Sequence, residues 1–364
     1  MKKILCFIDG VGFGGAQRQL IGLASLLQER GYRVELVAYH KRVFYLPLIK
    51  EKQLNYTLLL CKKNNFSKAL TISHLIKKNK YNAVISYLNG PNFFACISKF
   101  FNNNFKLIVS ERVAITEISH KSRMRYFAYK IADYIVSNSY TQSKFIAQNY
   151  NGLSKKTKTI SNFVDTSFFS PLEKIEDANE QSGKLNMLVA SRIVPHKNII
   201  RFLDTLSILK NRNIDLKVDW FGNVPNTMRE YSDEIYNKVI KLKIGDIIEF
   251  HSGTNNIREE YRQCDVFCLP SLREGYSNTI CEAMSCGKPI LCGRICDNPI
   301  IVEEGKNGLM FDPTSAEDMA NVIERFSKLS INDRMRMGKY SRELALQKFS
   351  EETFINKYVE LIES

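Results

Sequence analysis

The sequence of 364 residues lacks the features of several specialised protein classes. It has no apolar run near the roughly 20 residues that a membrane-spanning helix needs. The apolar stretch that follows Lys2 and Lys3 ends at Asp9, too early for the apolar region of a secretory signal. We therefore read this stretch as a first buried strand and expect a globular protein that stays in the cytoplasm.

Signals for bound metal and for disulfides are also missing. Nine cysteines do not form a disulfide scaffold in a chain of this length, and none of them follow C-x-x-C spacing. We expect reduced, buried thiols that act as small apolar side chains. The sequence also has no Asp-x-Asp triplet and no evident cluster of His and Asp.

Acidic residues are scarce in the first half. Residues 1–175 hold 27 Lys and Arg against 9 Asp and Glu, whereas residues 176–364 hold 25 against 29. This asymmetry favours a polyanionic partner for the first half, either nucleic acid or an anionic membrane surface. The alternative is a basic, solvated surface without a partner. A nucleic-acid-binding protein is not expected, because helix-turn-helix, zinc-finger and aromatic RNA-binding signatures are missing.

Apolar runs alternate with helical patterns along both halves, which predicts an α/β fold of two doubly wound parallel sheets. The polar segment 171–184 is the predicted linker between a first domain of residues 1–170 and a second of residues 185–364. Ligands of such sheets bind at the carboxyl ends of the strands, so we expect a cleft between the two domains. The predicted strands are 4–8, 33–39, 83–87, 106–110, 134–138, 157–161, 186–191, 217–221, 247–250, 266–270, 289–292 and 308–311.

A glycine-rich turn follows the first strand. Residues Gly10–Gly15 fit G-x-G-x-x-G, which alone suggests a dinucleotide site. That site also needs an acidic residue at the end of the second strand, but Glu35 lies inside that strand. An NAD-dependent enzyme therefore remains only an alternative, beside a turn without a ligand. Whichever phosphate-containing ligand binds, glycines allow its phosphate to approach the backbone at a helix N-terminus.

Two elements of the second half indicate a diphosphate site. Arg192 and Lys197 lie on a loop after a strand, where two fixed cations can neutralise a diphosphate. Glu274 and Glu282 flank a Gly-Tyr-Ser-Asn-Thr turn that leads into a helix, whose first N–H groups suit a phosphate. The simpler alternatives are solvated cations and a helix with ordinary N-terminal carboxylates.

As a set, these motifs resemble the family-4 retaining glycosyltransferases of the GT-B fold, in which two Rossmann-like domains face each other across a cleft. The resemblance covers nearly the whole chain. It rests on Gly14-Gly-Ala-Gln-Arg18, the Ser161–Asp165 turn, the Arg192/Lys197 pair, Gly222, the Glu274-x7-Glu282 element and Asn307-Gly308. The family's usual histidine after the fourth strand of the first domain is replaced by Arg112.

The resemblance implies a role for each matching residue. Glu274 and Arg112 are the expected catalytic residues, and Arg18 and Asn89 the expected acceptor-binding residues. Arg192 and Lys197 are expected to grip the diphosphate, Glu282 to hold the ribose and Glu274 to contact the transferred sugar. The full expected donor-binding set is Gly14, Gly15, Arg192, Lys197, Gly222, Glu274, Tyr276, Ser277, Asn278, Thr279 and Glu282.

The resemblance also implies an activity. We expect transfer of a sugar, with retention, from a nucleotide diphosphate sugar to a glycan or lipid-linked acceptor in cell-surface polysaccharide synthesis. UDP is the expected nucleotide, with GDP as the alternative, and no metal or cofactor is expected. A nucleotide-sugar epimerase of the same fold is the nearest rival. Aromatic and basic residues alternate in 99–106 and 123–130, which favours peripheral contact with the anionic inner face of the membrane.

Overall fold

The computed structural model describes residues 1–61, 64–112, 117–172, 184–254 and 256–364. The described residues form two compact units. The first unit is Met1–Phe163 with Glu351–Ser364, and the second is Val164–Ser350.

Strands and helices alternate through each unit. The strands are β1 (Lys3–Phe7), β2 (Arg33–Ala38), β3 (Asn55–Leu58), β4 (Ala83–Tyr87), β5 (Lys106–Glu111), β6 (Tyr134–Ser137), β7 (Thr157–Thr159), β8 (Leu185–Ala190), β9 (Leu216–Phe221), β10 (Ile248–His251), β11 (Val266–Leu269), β12 (Ile290–Gly293) and β13 (Gly308–Phe311). The helices are α1 (Gly15–Glu29), α2 (Leu46–Glu51), α3 (Asn65–Asn79), α4 (Asn89–Phe101), α5 (His120–Ala128), α6 (Tyr140–Asn149), α7 (Ile199–Asn211), α8 (Arg229–Leu242), α9 (Ile257–Gln263), α10 (Asn278–Ser285), α11 (Asn298–Ile301), α12 (Ala316–Ser327), α13 (Ile331–Lys348) and α14 (Glu351–Glu363).

The first unit is built on a seven-stranded parallel sheet in the order β3-β2-β1-β4-β5-β6-β7. The chain order reverses between β1 and β4, and ligands of doubly wound sheets bind at the carboxyl ends beside this point. β4 is buried along its whole length, as expected of a strand with helices on both faces. The predicted strands of this half are confirmed to within two residues, but the sequence analysis missed β3.

The second unit repeats this plan with a six-stranded parallel sheet in the order β10-β9-β8-β11-β12-β13. The chain order reverses between β8 and β11, so the loops after these two strands are neighbours. All six predicted strands are present. The prediction of two Rossmann-like parallel-sheet domains is therefore confirmed.

The division of the chain differs from the predicted boundaries at two places. The first unit ends at Phe163 and the second begins at Val164, rather than within 171–184, and residues 173–183 of the predicted linker lie outside the described residues. Helix α14 belongs to the first unit, not to the second as its place in the sequence suggests. Its apolar face, which includes Phe354 and Tyr358, is buried in the core of β1, β2 and α1.

The cysteines are free thiols in an apolar setting, as predicted. Seven of them are buried, and Cys61 and Cys296 are partly buried. Burial raises the pKa of the Cys6 thiol to about 12 and that of Cys264 to about 12. Since the thiolate is the reactive form, these side chains are chemically inert at neutral pH.

The aromatic and basic segments of the first unit divide between core and surface. Phe105, Tyr126 and Tyr129 are buried, and Lys99 is buried too, with its ammonium 3.0 Å from a carboxylate oxygen of Asp133. Their surface neighbours remain exposed, namely Phe100, Phe101, Met124 and Phe127. Aromatic packing on the sheet therefore explains only part of the pattern.

Candidate active site

The loop after β8 carries the two cations of the predicted diphosphate site. Arg192 is exposed, and Lys197 ends a short 3-10 turn, Pro195–Lys197. The next residue, Asn198, has a left-handed backbone (φ 65°) and a buried side chain. Its amide donates to the carbonyls of Pro270 (3.0 Å) and Pro313 (2.7 Å). Asn198 therefore ties this loop to the ends of β11 and β13, a role that the sequence analysis did not assign.

Gly222 lets the end of β9 approach this loop. A methyl group at Gly222 would lie 1.8 Å from the carbonyl oxygen of Ser191 and 2.7 Å from its carbonyl carbon. These are backbone atoms, so the clash has no side-chain solution. The indole of Trp220 donates to the same Ser191 oxygen at 3.0 Å. A residue without a side chain at 222 is therefore needed to hold the backbone next to Arg192.

Lys197 and Glu274 form an ion pair at the carboxyl ends of β8 and β11. The ammonium lies 2.5 Å from a carboxylate oxygen of Glu274, and both side chains are largely buried (14% and 12% exposed). The sequence analysis gave these residues separate ligands, and the structure brings them together. A fixed lysine beside the carboxylate orients it.

A third cation and a histidine adjoin this pair. Burial lowers the pKa of the His196 imidazole below its usual 6.5, and the positive charges of Lys197, Arg192 and Arg273 lower it further, whereas Glu274 raises it. The backbone of His196 accepts a hydrogen bond from Leu272 N–H at 2.9 Å, which joins the two loops. Arg273 and His196 were not predicted as site residues, although both are next to residues that were.

Helix α10 begins where the predicted phosphate-binding turn ends. Ser277 is its N-cap, and the Ser277 hydroxyl accepts from Ile280 N–H (3.5 Å) and lies 3.2 Å from the Thr279 hydroxyl. The helix starts at Asn278. Tyr276, predicted to contact the donor, is 7% exposed and packs edge-on against Phe349 in the core. Its side chain therefore anchors the turn.

Glu282 lies on α10, C-terminal to this turn. It is 4% exposed, and Tyr261 donates to one of its carboxylate oxygens at 3.1 Å. Glu274 and Glu282 thus both belong to the carboxyl-end region of β11, Glu274 in the loop and Glu282 in the helix. Tyr261 was not predicted, because it lies 21 residues away in the sequence.

The glycine turn of the first unit leads directly into α1. Gly14 is the N-cap and Gly15 the first helical residue, while Arg18 N–H donates to the Gly14 carbonyl at 3.2 Å. Glu35, the acid that a dinucleotide site would need, is buried inside β2 and accepts from Tyr81 at 2.5 Å and Thr57 at 3.2 Å. Glu35 therefore has a structural role within the sheet.

Arg112 follows β5 in the first unit and is held from three sides. Its guanidinium donates to Asn162 (2.7 Å) and to the Tyr358 hydroxyl (2.9 Å), and it stacks on the Tyr87 ring at 3.9 Å. Among the described residues, its buried Nε has no hydrogen-bond partner. Tyr358 is on α14, so the last helix of the chain positions a predicted catalytic residue.

A buried carboxylate, Glu111, immediately precedes Arg112 in the sequence. Glu111 is 1% exposed and accepts from Tyr129 at 2.7 Å, and burial raises its pKa above the usual value. The predicted acceptor residue Asn89 is exposed at the first position of α4, after Leu88 with a positive φ of 76°. Such strain in a non-glycine residue is typical of functional sites.

The expectation that the chain has no cluster of His and Asp was wrong. Adjacent strands β9 and β10 bring Asp219, Glu249 and His251 together, with all three ligand atoms within 4.8 Å of one another. His251 lies 2.8 Å from Asp219, and the Lys217 ammonium lies 3.2 Å from Asp219 and 3.6 Å from Glu249. Lys217 already neutralises these carboxylates, so the cluster is explained as an ion-pair network.

The second unit also contains a cavity of about 570 Å³ at the carboxyl ends of β12 and β13. Its polar lining includes Arg294, Glu304, Asp312 and Arg325. None of the predicted donor-binding residues lines it.

Among the described residues, no helix is long and apolar enough to cross a membrane.

Known proteins resemble both halves of the chain. Residues 13–168 match the family model described as Glycosyltransferase Family 4, and residues 172–344 match that of Glycosyl transferases group 1. A Campylobacter jejuni N-acetylgalactosamine-N,N'-diacetylbacillosaminyl-diphospho-undecaprenol 4-alpha-N-acetylgalactosaminyltransferase is 25% identical over 80% of each chain. The Rhizobium meliloti lipopolysaccharide core biosynthesis glycosyltransferase LpsE is 21% identical over 96% of each chain.

Solved structures share the fold over the full length. The Anabaena protein HepE in complex with UDP superposes with a TM-score of 0.86 at 18% identity, with 100% of both chains covered. The two parallel-sheet units and these matches define a glycosyltransferase of the GT-B fold. Within that class, the chain belongs to the family-4 glycosyltransferases.

Proposed function

We propose that this glycosyltransferase moves a sugar from a UDP-sugar, with retention of anomeric configuration, to a glycan or lipid-linked acceptor in bacterial cell-surface polysaccharide synthesis. The observation that carries the proposal is the 2.5 Å pair of Lys197 and Glu274, flanked by Arg192 at the carboxyl ends of β8 and β11. This is the position at which doubly wound sheets bind nucleotides.

The diphosphate would lie against the cations of the β8 loop. Arg192 is exposed and can donate two parallel hydrogen bonds to phosphate oxygens, and Lys197 supplies a second charge. The first N–H groups of α10, at Asn278 and Thr279, add the positive end of the helix dipole. In this arrangement protein cations and N–H groups stabilise the negative charge of the departing UDP, and we propose that no metal is needed.

The nucleoside and the sugar would be held by the two glutamates. Glu282 lies on α10 with one oxygen bound by Tyr261, and we assign its carboxylate to the ribose hydroxyls. Glu274 is oriented by Lys197 and is assigned to a hydroxyl of the transferred sugar. A sugar hydroxyl at Glu274 and a phosphate oxygen at Lys197 would then flank the anomeric carbon.

Retention would follow from attack on the same face that the leaving group departs from. The bond between the anomeric carbon and the phosphate oxygen breaks, and the acceptor oxygen bonds to the anomeric carbon on that face. The acceptor proton passes to the departing phosphate oxygen. The site then needs no nucleophile of its own, and the cations only have to stabilise the UDP that forms.

The acceptor would bind to the first unit. Arg18 and Asn89 are assigned to it, and Arg112 is assigned as a catalytic residue that is fixed by Asn162 and Tyr358. The activities named for the C. jejuni and R. meliloti relatives support an acceptor on a lipid diphosphate or a lipopolysaccharide core. Such acceptors reside in membranes, so we propose peripheral contact with the anionic inner face of the cell membrane.

The donor assignment is tested by ligand-induced stabilisation. The thermal unfolding of the wild type and of Arg192→Ala is measured with UDP, GDP, ADP and NAD. A ligand at 100 times its dissociation constant adds about 2.7 kcal/mol to the stability. We expect stabilisation by UDP that Arg192→Ala loses, while the exposed Arg336→Ala on α13 behaves as the wild type. Stabilisation by NAD alone would refute the proposal.

A further inference from the structure

Exposed aromatic side chains are concentrated in the first unit. Among the described residues, the exposed phenylalanines all lie there except Phe168. Apolar side chains exposed as a group, rather than singly, mark interaction sites. The first half of the chain is also strongly basic, since residues 1–175 hold 27 Lys and Arg against 9 Asp and Glu.

One group of these residues follows three neighbouring strands, and we name it the carboxyl-edge surface. The strands β3, β2 and β1 are consecutive in the sheet and parallel, so the segments after them lie along one edge. The surface consists of Phe13 after β1, Val43 and Phe44 after β2, and Leu60 after β3. These side chains are 66%, 59%, 49% and 80% exposed, respectively.

Aromatic contacts join this surface to the glycine turn. The Phe13 ring packs edge-on against the Phe44 ring with centroids 5.0 Å apart. Phe13 itself lies between Gly12 and Gly14 of the turn. A methyl group on Gly12 would lie 3.1 Å from Arg42 Cβ, so Arg42 packs directly on the turn. The carboxyl-edge surface therefore borders the turn that leads into α1.

Cations surround the apolar side chains. Lys41 is exposed and the Arg42 side chain is 62% exposed, while the Asp9 carboxylate is 21% exposed and lies 3.9 Å from Arg42. Lys68 lies over the Tyr39 ring at 5.6 Å. Aromatic rings bordered by cations suit the boundary between headgroups and acyl chains, where each cation near an anionic surface strengthens binding about fivefold.

We propose that the carboxyl-edge surface docks on an anionic lipid bilayer, with the rings of Phe13 and Phe44 and the side chains of Val43 and Leu60 at the level of the headgroups. The proposal rests on the proposed function for its biological purpose, because docking there would bring the start of α1, which carries the assigned acceptor residue Arg18, to a membrane-borne acceptor. The docking itself requires only the surface and its charge.

The test measures flotation of the full-length protein with vesicles of phosphatidylglycerol and phosphatidylcholine in equal parts, and with vesicles of phosphatidylcholine alone. The variant V43S/F44S removes two apolar side chains outside the glycine turn. The matched control, F100S/F101S, removes two exposed rings of α4 (74% and 73% exposed). Leu60→Ser, which alters a side chain outside the core, provides a second variant if V43S/F44S proves unstable.

We expect the wild type to bind the anionic vesicles and to release them at high salt. V43S/F44S should reduce vesicle binding about tenfold or more, and Leu60→Ser by a smaller factor, since each loses apolar area at the interface. F100S/F101S should bind as the wild type, because these rings lie on α4, outside the carboxyl-edge surface, although the sequence pattern of 99–106 favoured membrane contact there. If F100S/F101S loses binding and V43S/F44S keeps it, α4 is the docking surface and the proposal is overturned. Equal binding to neutral vesicles, or no binding by the wild type, also overturns it.

The test is independent of the sugar-transfer assignment. UDP-induced stabilisation of V43S/F44S shows that its second unit is intact, and transfer to a water-soluble acceptor reports the chemistry. If V43S/F44S loses the vesicle binding of the wild type, but UDP fails to stabilise the wild type, then the docking is upheld and the proposed function is refuted.

Discussion

The Lys197 ammonium lies 2.5 Å from a carboxylate oxygen of Glu274, although the two residues are 77 positions apart in the sequence. They meet because β8 and β11 are neighbouring parallel strands and both residues follow the carboxyl ends of these strands. Lys197 thus has two anionic partners available, Glu274 and the proposed diphosphate. Donor binding must let the lysine contact both, or the pair must open.

Replacing Glu274 by Gln separates the proposed contact of Glu274 with the sugar from its ion pair with Lys197. We expect transfer to fall about 100-fold or more, because the carboxylate that contacts the sugar is lost. UDP affinity should stay the same or rise, since Lys197 is freed for the diphosphate. Steady-state transfer and UDP titration measure the two effects. Glu324→Gln on α12 also breaks ion pairs, with Lys328 and Arg212, and should leave both unchanged. Unchanged transfer in Glu274→Gln would remove Glu274 from the active site.

Gly222→Ala tests the approach of β9 to the loop of Arg192. The added methyl would lie 1.8 Å from the Ser191 carbonyl oxygen, so the backbone must move. We expect a loss of about 1–3 kcal/mol in stability to urea and weaker UDP binding as Arg192 shifts. Gly245→Ala is the control, because among the described residues the nearest atom to its methyl would be Val239 Cγ1 at 3.8 Å. Equal stability and UDP affinity in the two variants would contradict the prediction.

His196 makes stability and donor binding depend on pH. Burial and neighbouring cations lower its pKa below 6.5, so the folded protein binds fewer protons here than the unfolded chain. The stabilising contribution is therefore present above pH 6.5 and is lost as the pH falls through the folded-state pKa. A bound diphosphate would raise this pKa, so UDP binding by the wild type should strengthen as the pH falls below 6.5.

Urea unfolding with and without UDP, across this pH range, measures both effects. His196→Gln should show weaker pH dependence of each, whereas the exposed His74→Gln should follow the wild type. Lys197, Arg192, Arg273 and Glu274 all act on the imidazole and are unchanged in both variants. Identical pH profiles for His196→Gln and wild type would rule out this role.

Tyr358→Phe tests whether α14 positions Arg112. The lost hydroxyl accepts from Arg112 and pairs with the Tyr87 hydroxyl at 2.8 Å. We expect a loss of about 1–2 kcal/mol in stability and a lower kcat with little change in the donor KM. Tyr32→Phe also removes a hydroxyl bound to a side chain, Glu363, and serves as the control. A normal kcat in Tyr358→Phe would show that this contact is structural only.

The sequence predicted the sheets well because most strands are continuous apolar runs. The edge strand β3 was missed because Asn55–Leu58 is short and only partly buried, so its pattern is weak. Helix α14 was placed in the wrong unit, since an amphipathic face such as that of Phe354 and Tyr358 shows that a helix is buried but not against which sheet.

The sequence predicted which residues belong to the candidate site better than it predicted which of them contact one another. Arg192, Lys197, Glu274 and Glu282 were expected at the donor site, but Tyr261, His196 and Arg273 were not. The Asp219, Glu249 and His251 cluster was missed because its members occupy two strands, and only their parallel register joins them.

The sequence by itself determined the fold class, the two parallel sheets and the residues available for a diphosphate, because apolar periodicity and short motifs are local properties of the chain. Only the tertiary structure decided that Lys197 pairs with Glu274, that Tyr358 holds Arg112 and that Phe13 packs on Phe44. Each of these contacts joins residues from different strands, helices or loops. Strand order and helix packing bring these residues together, and no local sequence pattern predicts which of them come into contact.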